Sequence, residues 1–417
     1  MTPPLTRQQE TAARADIWND YLTTEKLNHE RAVEVNISPR GAVNPMDPGA
    51  GAIYFDEATK TFALHEKNAV SLRFNIARKG VPGKDGYPVY IFLHGGGQSH
   101  INEMQYNHGK IYFLDSIENG IYVACRGVRE TYNTHFNPES YPLYDRLIQN
   151  LIMYKNADPN RIYLTGYSAG GDGVYGITPV MADRFAAVSM SAGHHNQISA
   201  VNYMNTPIIL QCGDDDTAYD RHLETARYGE KLAALQKDYP QNYIHEVNMH
   251  VKRQHGIRDN DPFRTTQVVW ADSAAWLKGE SKPVCKNTNA IDYVSQFARN
   301  PLPENIAWDL ENRAPLRFTN AFYWLEAPAH MTKGIIHAHR DQSRNTVTIN
   351  TQGVSGTFNI LLNWDMADLS RAITLVVNGK TSQVTAAPAC EIIEETTKDR
   401  GDVNYQFSAK IPVAVTA

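Results

Sequence analysis

The chain has no apolar run close to the ~18 residues that a membrane span requires. Its first 21 residues hold no apolar core of the kind a secretory leader carries. Cysteine is scarce: four residues, Cys125, Cys212, Cys285 and Cys390, stand far apart with no CxxC pair. Cys125 and Cys212 sit in apolar runs, where a thiol acts as a small hydrophobe. That usage points to a reducing compartment, and a cytoplasmic location is the expectation. Charge of one sign is also lacking. A net charge of −5 gives no strong field for nucleic acid or an anionic membrane. There is no internal repeat and no low-complexity tract. What remains is an ordinary globular composition, 42% hydrophobic, 20% charged and 10% aromatic. Its 417 residues suffice for two or three domains, each with a buried core.

Residues 8–31 read as a polar helix with Ile17, Trp18, Tyr21 and Leu22 on one face. Short alternating segments over 32–37, 61–65 and 70–77 then read as antiparallel edge strands. The middle of the chain alternates. Apolar runs at 89–93, 121–125, 161–165, 187–190, 207–211 and 243–249 are separated by segments of helical length such as 143–155, 169–181 and 220–237. Continuously apolar strands between helices imply a parallel sheet covered on both faces. Chemistry in such a sheet belongs at the carboxyl ends of its strands. Residues 280–312 are polar and carry Pro283, Pro301 and Pro303, as a surface linker would. From Leu316 the chain reads as strands only, with Asn378-Gly379 as a hairpin turn, and a β-sandwich of roughly 100 residues fits. The expected division is 1–69 for the helix and edge strands, 70–280 for the α/β domain, 281–315 for the linker and 316–417 for the sandwich.

Gly166-Tyr167-Ser168-Ala169-Gly170 follows an apolar strand and opens a helical segment. A serine nucleophile needs such a turn, which exposes its hydroxyl and aims the next amide, that of Ala169, at a developing oxyanion. Without this strand and helix the pattern would be a plain glycine-rich turn. His94-Gly95-Gly96-Gly97 ends an earlier strand, where Gly96 and Gly97 would let backbone amides approach a tetrahedral carbon. The loop is no phosphate cradle, since no Lys-Ser/Thr follows it, and Gly379-Lys380-Thr381 lacks the glycine five residues earlier. An acid is expected after the 207–211 strand, where Asp214, Asp215 and Asp216 are adjacent. The Gly-x-x-Asp spacing from Gly213 selects Asp216, with a solvated or metal-binding turn as the rival reading. The base follows the last strand of the set. His255, in a glycine-containing loop, is preferred over His250, which would cap the strand. The order serine, acid, histidine is that of α/β hydrolases. No HExxH pattern is present, and neither a metal nor an organic cofactor is implied.

With these motifs in place, residues 88–277 resemble the esterase and depolymerase branch of the α/β hydrolases, which includes polyhydroxybutyrate-depolymerase-like and feruloyl-esterase-like proteins. The stretch Gly166-Tyr-Ser-Ala-Gly-Gly-Asp-Gly-Val-Tyr175 carries the likeness, and Phe322-Tyr-Trp-Leu325 and Val376-Val-Asn-Gly379 resemble the small β-domain that follows the catalytic one in such proteins. The resemblance implies an α/β-hydrolase fold, a mostly parallel sheet flanked by helices, with a small C-terminal β-sandwich. It also implies Ser168 as nucleophile, Asp216 as acid and His255 as base. Gln254 stands where the family more often has glycine before the base.

Asn102, Gln105, Arg126, Asn133, His195 and Arg221 fall at positions where a substrate would lie, although each could equally stabilise its own loop. Arg126 and Arg221 would suit a carboxylate-bearing substrate. Three functions compete: a carboxylic-ester hydrolase acting on a small or short-chain ester, a serine peptidase or amidase using the same residues, and a binding protein that keeps only the fold.

Overall fold

The computed structural model describes residues 3–35, 50–63, 67–96, 110–312 and 320–416. They form two compact units, residues 29–299 and residues 1–28 together with 300–417. Elements are numbered along the chain, so α1 (Arg7–Leu27) belongs to the discontinuous unit and is described with it.

Residues 29–299 are built on one eleven-stranded sheet. Its strands are β1 (Ala50–Asp56), β2 (Thr61–Ala63), β3 (Ala69–Lys79), β4 (Tyr87–Leu93), β5 (Gly120–Cys125), β6 (Ala157–Tyr167), β7 (Ala187–Ser191), β8 (Ile208–Gly213), β9 (His245–His250), β10 (Thr266–Trp270) and β11 (Val284–Asn287). Their order is β2-β1-β3-β5-β4-β6-β7-β8-β9-β10-β11. From β5 through β9 the pairs are parallel. β1, β2 and β3 are antiparallel at one edge, and β10 and β11 at the other. The parallel strands are apolar at nearly every position because both faces are covered: all of β5, β7 and β8 is buried. On one face Tyr90, Phe92, Tyr122 and Tyr163 pack with Phe113 and Ile117 near α3 (Lys110–Ser116) and with Ile291 and Val294 of α8 (Ala290–Val294). Other helices of this unit are α2 (His29–Glu34), α4 (Ser140–Lys155), α5 (Ala169–Met181), α6 (Arg221–Asp238) and α7 (Ser273–Leu277).

The chain reverses direction across the sheet at β4. β5 lies on one side of it, while β6 and everything after lie on the other. The chain thus leaves β4 and β6 for opposite sides of the sheet order, and α/β sheets bind ligands at the carboxyl ends of strands so placed. This strand order, with a strand–turn–helix after β6, is the α/β-hydrolase fold.

The second unit holds two smaller sheets. One has the order β12-β15-β16-β18-β19, from β12 (Asn305–Asp309), β15 (Ile335–Asp341), β16 (Thr346–Gln352), β18 (Ile373–Val377) and β19 (Lys380–Val384). The other is β13-β14-β17-β20, from β13 (Ala321–Phe322), β14 (Leu325–Glu326), β17 (Gly356–Leu362) and β20 (Ala409–Val415). Alternate side chains are buried, Ile336 and Ala338 on β15, Val347 and Ile349 on β16, Ile411, Val413 and Val415 on β20. Asn378 and Gly379 both have positive φ, +47° and +80°, as the tight turn joining β18 to β19 requires. α1 opens on a capping box at Thr6 and Gln9 and packs on α9 (Cys390–Arg400). The Trp364 amide donates to Glu10 Oε2 at 3.0 Å and Arg14 reaches Asp365 at 2.7 Å.

Several expectations are corrected here. The N-terminal helix joins residues 300–417 rather than the edge strands. Residues 32–34, expected to begin a strand, belong to α2 instead, where Glu34 is drawn into Arg146 Nε at 2.8 Å and Asn150 Nδ2 at 2.7 Å on α4; residues 36–37 lie outside the described residues. The stretch 281–315 is not a bare linker: it supplies β11, α8 and β12, and the units change over at Asn300. The C-terminal region is not strands alone, since α9 buries Ile393, Thr396, Thr397 and Arg400.

Candidate active site

β6 and α5 meet at Ser168, whose backbone sits at φ 58° and ψ −121°. A side-chain-bearing residue rarely adopts this conformation, and it is held here because its neighbours leave no alternative. A Cβ on Gly166 would lie 2.1 Å from the Gly170 carbonyl oxygen, and one on Gly170 would lie 2.0 Å from that of Leu93. Glycine at both places lets α5 start hard against β4 and β6. The Ser168 amide donates to Ser191 O at 2.9 Å, pinning the turn to β7. Ala169 begins α5, where helical amides have no partner within the helix.

Ser168 Oγ lies 2.9 Å from His255 Nε2, and His255 Nδ1 lies 2.7 Å from Asp216 Oδ2. Asp216 is buried, whereas Asp215 is exposed. Asp214 is occupied elsewhere, accepting from Trp270 Nε1 at 2.8 Å and from the Arg253 amide at 3.3 Å. The second oxygen of Asp216 receives Arg221 at 3.4 Å. His250 caps β9 and pairs with Gln211 Oε1 at 3.0 Å; burial pushes its imidazole down to about 4, so it stays neutral.

Gly95, two residues past β4, lies directly over the serine. A Cβ on Gly95 would stand 3.0 Å from Ser168 Cβ, and Gly96 follows with φ +80°. Gly97, Asn102 and Gln105 lie outside the described residues. Two buried histidines brace this loop. The Gly127 amide donates to His94 Nε2 at 3.0 Å, so the His94 proton is on Nδ1 and goes to Gly95 O at 2.8 Å. His135 Nε2 in turn donates to His94 O at 2.9 Å, and its Nδ1 faces the Tyr144 hydroxyl at 3.2 Å. Burial, reinforced by the neighbouring His94, holds the His135 imidazole well below its ordinary range. His135 therefore stays neutral, and both rings act as hydrogen-bonding struts.

Tyr167, immediately before the serine, holds the loop that carries the base. Its hydroxyl donates to His255 O and accepts from the Ile257 amide at 3.3 Å. Ser191 Oγ donates to Asp259 Oδ2, fixing the same loop to β7. The sequence reading missed both, although the place of Tyr167 inside the GxSxG turn was the available signal. Asp172, one turn into α5, accepts from the His194 amide at 2.7 Å, and burial raises its carboxyl.

The remaining substrate candidates are differently placed. Arg126 pairs with Glu130 at 2.6 Å, and Arg221 is committed to Asp216 and, at 3.3 Å, to Ala218 O. Asn133 is exposed and bonds within its own loop, to Thr131 and Asn137, each at 2.8 Å. His195 is turned inward against Tyr175 and Tyr228, with Nε2 2.6 Å from Glu224 and Nδ1 accepting from the Gln197 amide at 3.0 Å. Asn133 and His195 thus both bond within the protein, the loop-stabilising role that the sequence also allowed. No cluster of three or more His, Cys, Asp or Glu among the described residues could hold a metal ion. Nor does any described helix have the length and apolarity to cross a membrane.

A cavity of about 510 Å³ adjoins Tyr167 and the loop after His255. A larger one, about 750 Å³, is lined by Gly86, Pro88, Asp158 and Arg161. It opens at the amino ends of β4 and β6, the opposite end of the strands from Ser168, and so takes no part in this site.

The chain has the α/β-hydrolase fold, with Ser168, His255 and Asp216 hydrogen-bonded in series at the carboxyl ends of its strands. No family model and no curated protein matches the chain. Among solved structures it is similar to a thermostable esterase, with 19% identity over 61% of this chain and 64% of that one, at a TM-score of 0.42. It is likewise similar to LpqC, a poly(3-hydroxybutyrate) depolymerase from Bordetella parapertussis, with 14% identity over 56% and 91% of the two chains and a TM-score of 0.40. Esterase 2 of Thermogutta terrifontis, phosphonylated by cyclosarin, matches at 14% identity over 52% and 93%, with a TM-score of 0.37. The chain spans less than two thirds of the thermostable esterase.

Proposed function

We propose that this protein hydrolyses carboxylic esters through an acyl-enzyme on Ser168. The observation that carries the reading is the relay itself: Ser168 Oγ to His255 Nε2 at 2.9 Å and His255 Nδ1 to Asp216 Oδ2 at 2.7 Å, on a strand–helix turn. Asp216 accepts a hydrogen bond from Nδ1–H, which keeps the imidazole proton on Nδ1 and leaves Nε2 bare and ready to take the serine proton. Ser168 then attacks the ester carbonyl. The amide of Ala169, with those of Gly96 and Gly97, receives the oxyanion. His255 passes the proton to the leaving alcohol, and water, activated by the same imidazole, releases the acid and frees Ser168.

A fluorophosphonate probe should label Ser168 and no other residue. Ser168→Ala should lose the label and fall below ~1% of wild-type turnover on p-nitrophenyl acetate, while its thermal transition is kept. Persistent labelling or turnover in that variant refutes the assignment. Faster cleavage of aminoacyl nitroanilides than of esters would make the protein an amidase instead.

A further inference from the structure

The buried carboxyl of Asp216 has two oxygens with unequal partners. Oδ2 accepts from His255 Nδ1 at 2.7 Å, with Cys212 Sγ at 3.9 Å, whereas Oδ1 meets one donor, Arg221 Nη1, at 3.4 Å. Among the described residues no backbone amide bonds to either oxygen, so the two strong donors that aim this carboxyl are the imidazole and the guanidinium. Arg221 is brought there by an unusual piece of chain. Tyr219 and Asp220 are consecutive side-chain-bearing residues with positive φ, +57° and +55°, a conformation they adopt at a cost. The turn they make is closed by the His222 amide, which donates to Asp216 O at 3.2 Å, and it starts α6 with Arg221 facing back to the acid. The Tyr219 ring lies 4.8 Å from the guanidinium carbon, and Ala218 O takes a further bond at 3.3 Å. Other carboxylates near it in sequence are passed over: Asp215 and Asp220 are exposed, and the one ion pair of Arg221 among the described residues is with Asp216. Its Nε is buried without a partner, so the guanidinium is not placed to satisfy its own donors.

Resting on the ester-hydrolase reading above, we propose that Arg221 is the positioning residue that assigns the two sides of the acid, claiming Oδ1 and reserving an acceptor, Oδ2, for His255 Nδ1–H. A guanidinium only donates, so whatever atom stands at the Oδ1 place must accept. A carboxylate meets both demands, and the imidazole keeps its proton on Nδ1. An amide at this position cannot: its oxygen goes to Arg221, its NH₂ faces His255, and the imidazole proton is driven to Nε2. The effect of removing Arg221 therefore changes sign with its neighbour. The wild-type relay loses the donor that holds its acid and weakens. In Asp216→Asn the conflict is relieved, because the amide is free to turn its oxygen to His255. An arginine that only braced its loop would, when removed, make both proteins worse.

The test uses the whole protein as wild type, Arg221→Met, Asp216→Asn and the double variant, with kcat and KM on p-nitrophenyl acetate and the NMR shifts of the His255 ring nitrogens read in parallel. Arg221→Met alone should lose about three- to tenfold in kcat with KM within about twofold. Beside Asp216→Asn the same change should raise kcat by about tenfold or more. The ring nitrogens should carry the proton on Nδ1 in wild type, on Nε2 in Asp216→Asn, and on Nδ1 again in the double variant. Arg221→Lys, which can only donate, should give no gain beside Asp216→Asn. Arg221→Gln, whose amide can accept, should give one, and it carries the comparison if Arg221→Met does not fold. A double variant no faster than Asp216→Asn, a proton that stays on Nε2 in it, or an equal gain from Arg221→Lys would each overturn the proposal while leaving ester hydrolysis intact. A wild type that cleaves no ester would instead overturn the ester-hydrolase reading, and the ring-nitrogen shifts, which need no substrate, would still decide the role of Arg221.

Discussion

Replacing Asp216 by asparagine exchanges one oxygen for an NH₂ and barely alters shape, so its effect isolates the proton logic of the relay. In the wild type one carboxylate oxygen accepts from His255 Nδ1 at 2.7 Å while the other takes Arg221 at 3.4 Å. The arginine can only donate, so it will keep the amide oxygen and leave the NH₂ facing His255. Two donors cannot face each other, and the imidazole answers by moving its proton to Nε2. That nitrogen sits 2.9 Å from Ser168 Oγ, where it must be bare to act as a base. The wrong tautomer should cost kcat about 10³–10⁴-fold, roughly 4–5.5 kcal/mol, by analogy with the same change in serine proteases. Asp215→Asn changes an exposed side chain and should stay within about twofold. The assay is kcat on p-nitrophenyl acetate at pH 8, with the three variants Asp214→Asn, Asp215→Asn and Asp216→Asn purified in parallel. If Asp216→Asn keeps more than a tenth of wild-type kcat, or if Asp215→Asn loses more than it does, the tautomer argument is wrong.

Tyr167→Phe removes the hydroxyl that joins the elbow to the base loop, and kcat should drop about tenfold with KM little changed. A KM effect with kcat intact would show that Tyr167 touches substrate rather than positioning His255. In the discontinuous unit, burial raises the Glu10 carboxyl above its ordinary value. Such a group favours the folded state while protonated, and its contribution is lost as pH rises through the folded-state value. Glu10→Gln, neutral at every pH, should therefore raise the melting temperature of this unit at pH 8, with the gain shrinking as pH falls toward 4. A variant less stable than wild type at pH 8 would mean that the ionised carboxylate's bonds to Trp364 and its attraction to Arg14 outweigh its desolvation.

The parts of the molecule legible in the sequence were those where one residue type answers one physical demand. β4 to β8 announce themselves because a strand covered on both faces must be apolar throughout. Gly166, Gly170 and Ser168 stand out because the turn admits nothing bulkier beside the nucleophile. The obscure parts depend on partners distant in sequence. β11 is four residues long, and Val284-Cys-Lys-Asn287 carries no pattern of its own until β10 pairs with it. α9 reads as a charged stretch, since its buried face includes Thr396, Thr397 and Arg400 instead of a clear apolar stripe. His195 lies just past the strand after the nucleophile and could have faced a ligand. Only the structure shows Glu224, Tyr175 and Tyr228 enclosing it.

The division of the chain has a consequence for its synthesis. α1 leaves the ribosome well before its helical partner α9, which begins only at Cys390. At the usual elongation rate of roughly 5–20 residues per second, that interval lasts on the order of 20–70 s. All of residues 29–299 emerges during it and can complete its sheet. The α1 surface tolerates the delay because little of it is apolar: Glu10 and Tyr21 are its buried residues in the finished unit. A greasy helix in that position would be an invitation to misassembly or chaperone capture. The contact between α1 and α9 therefore cannot form until residues 29–299 have been made.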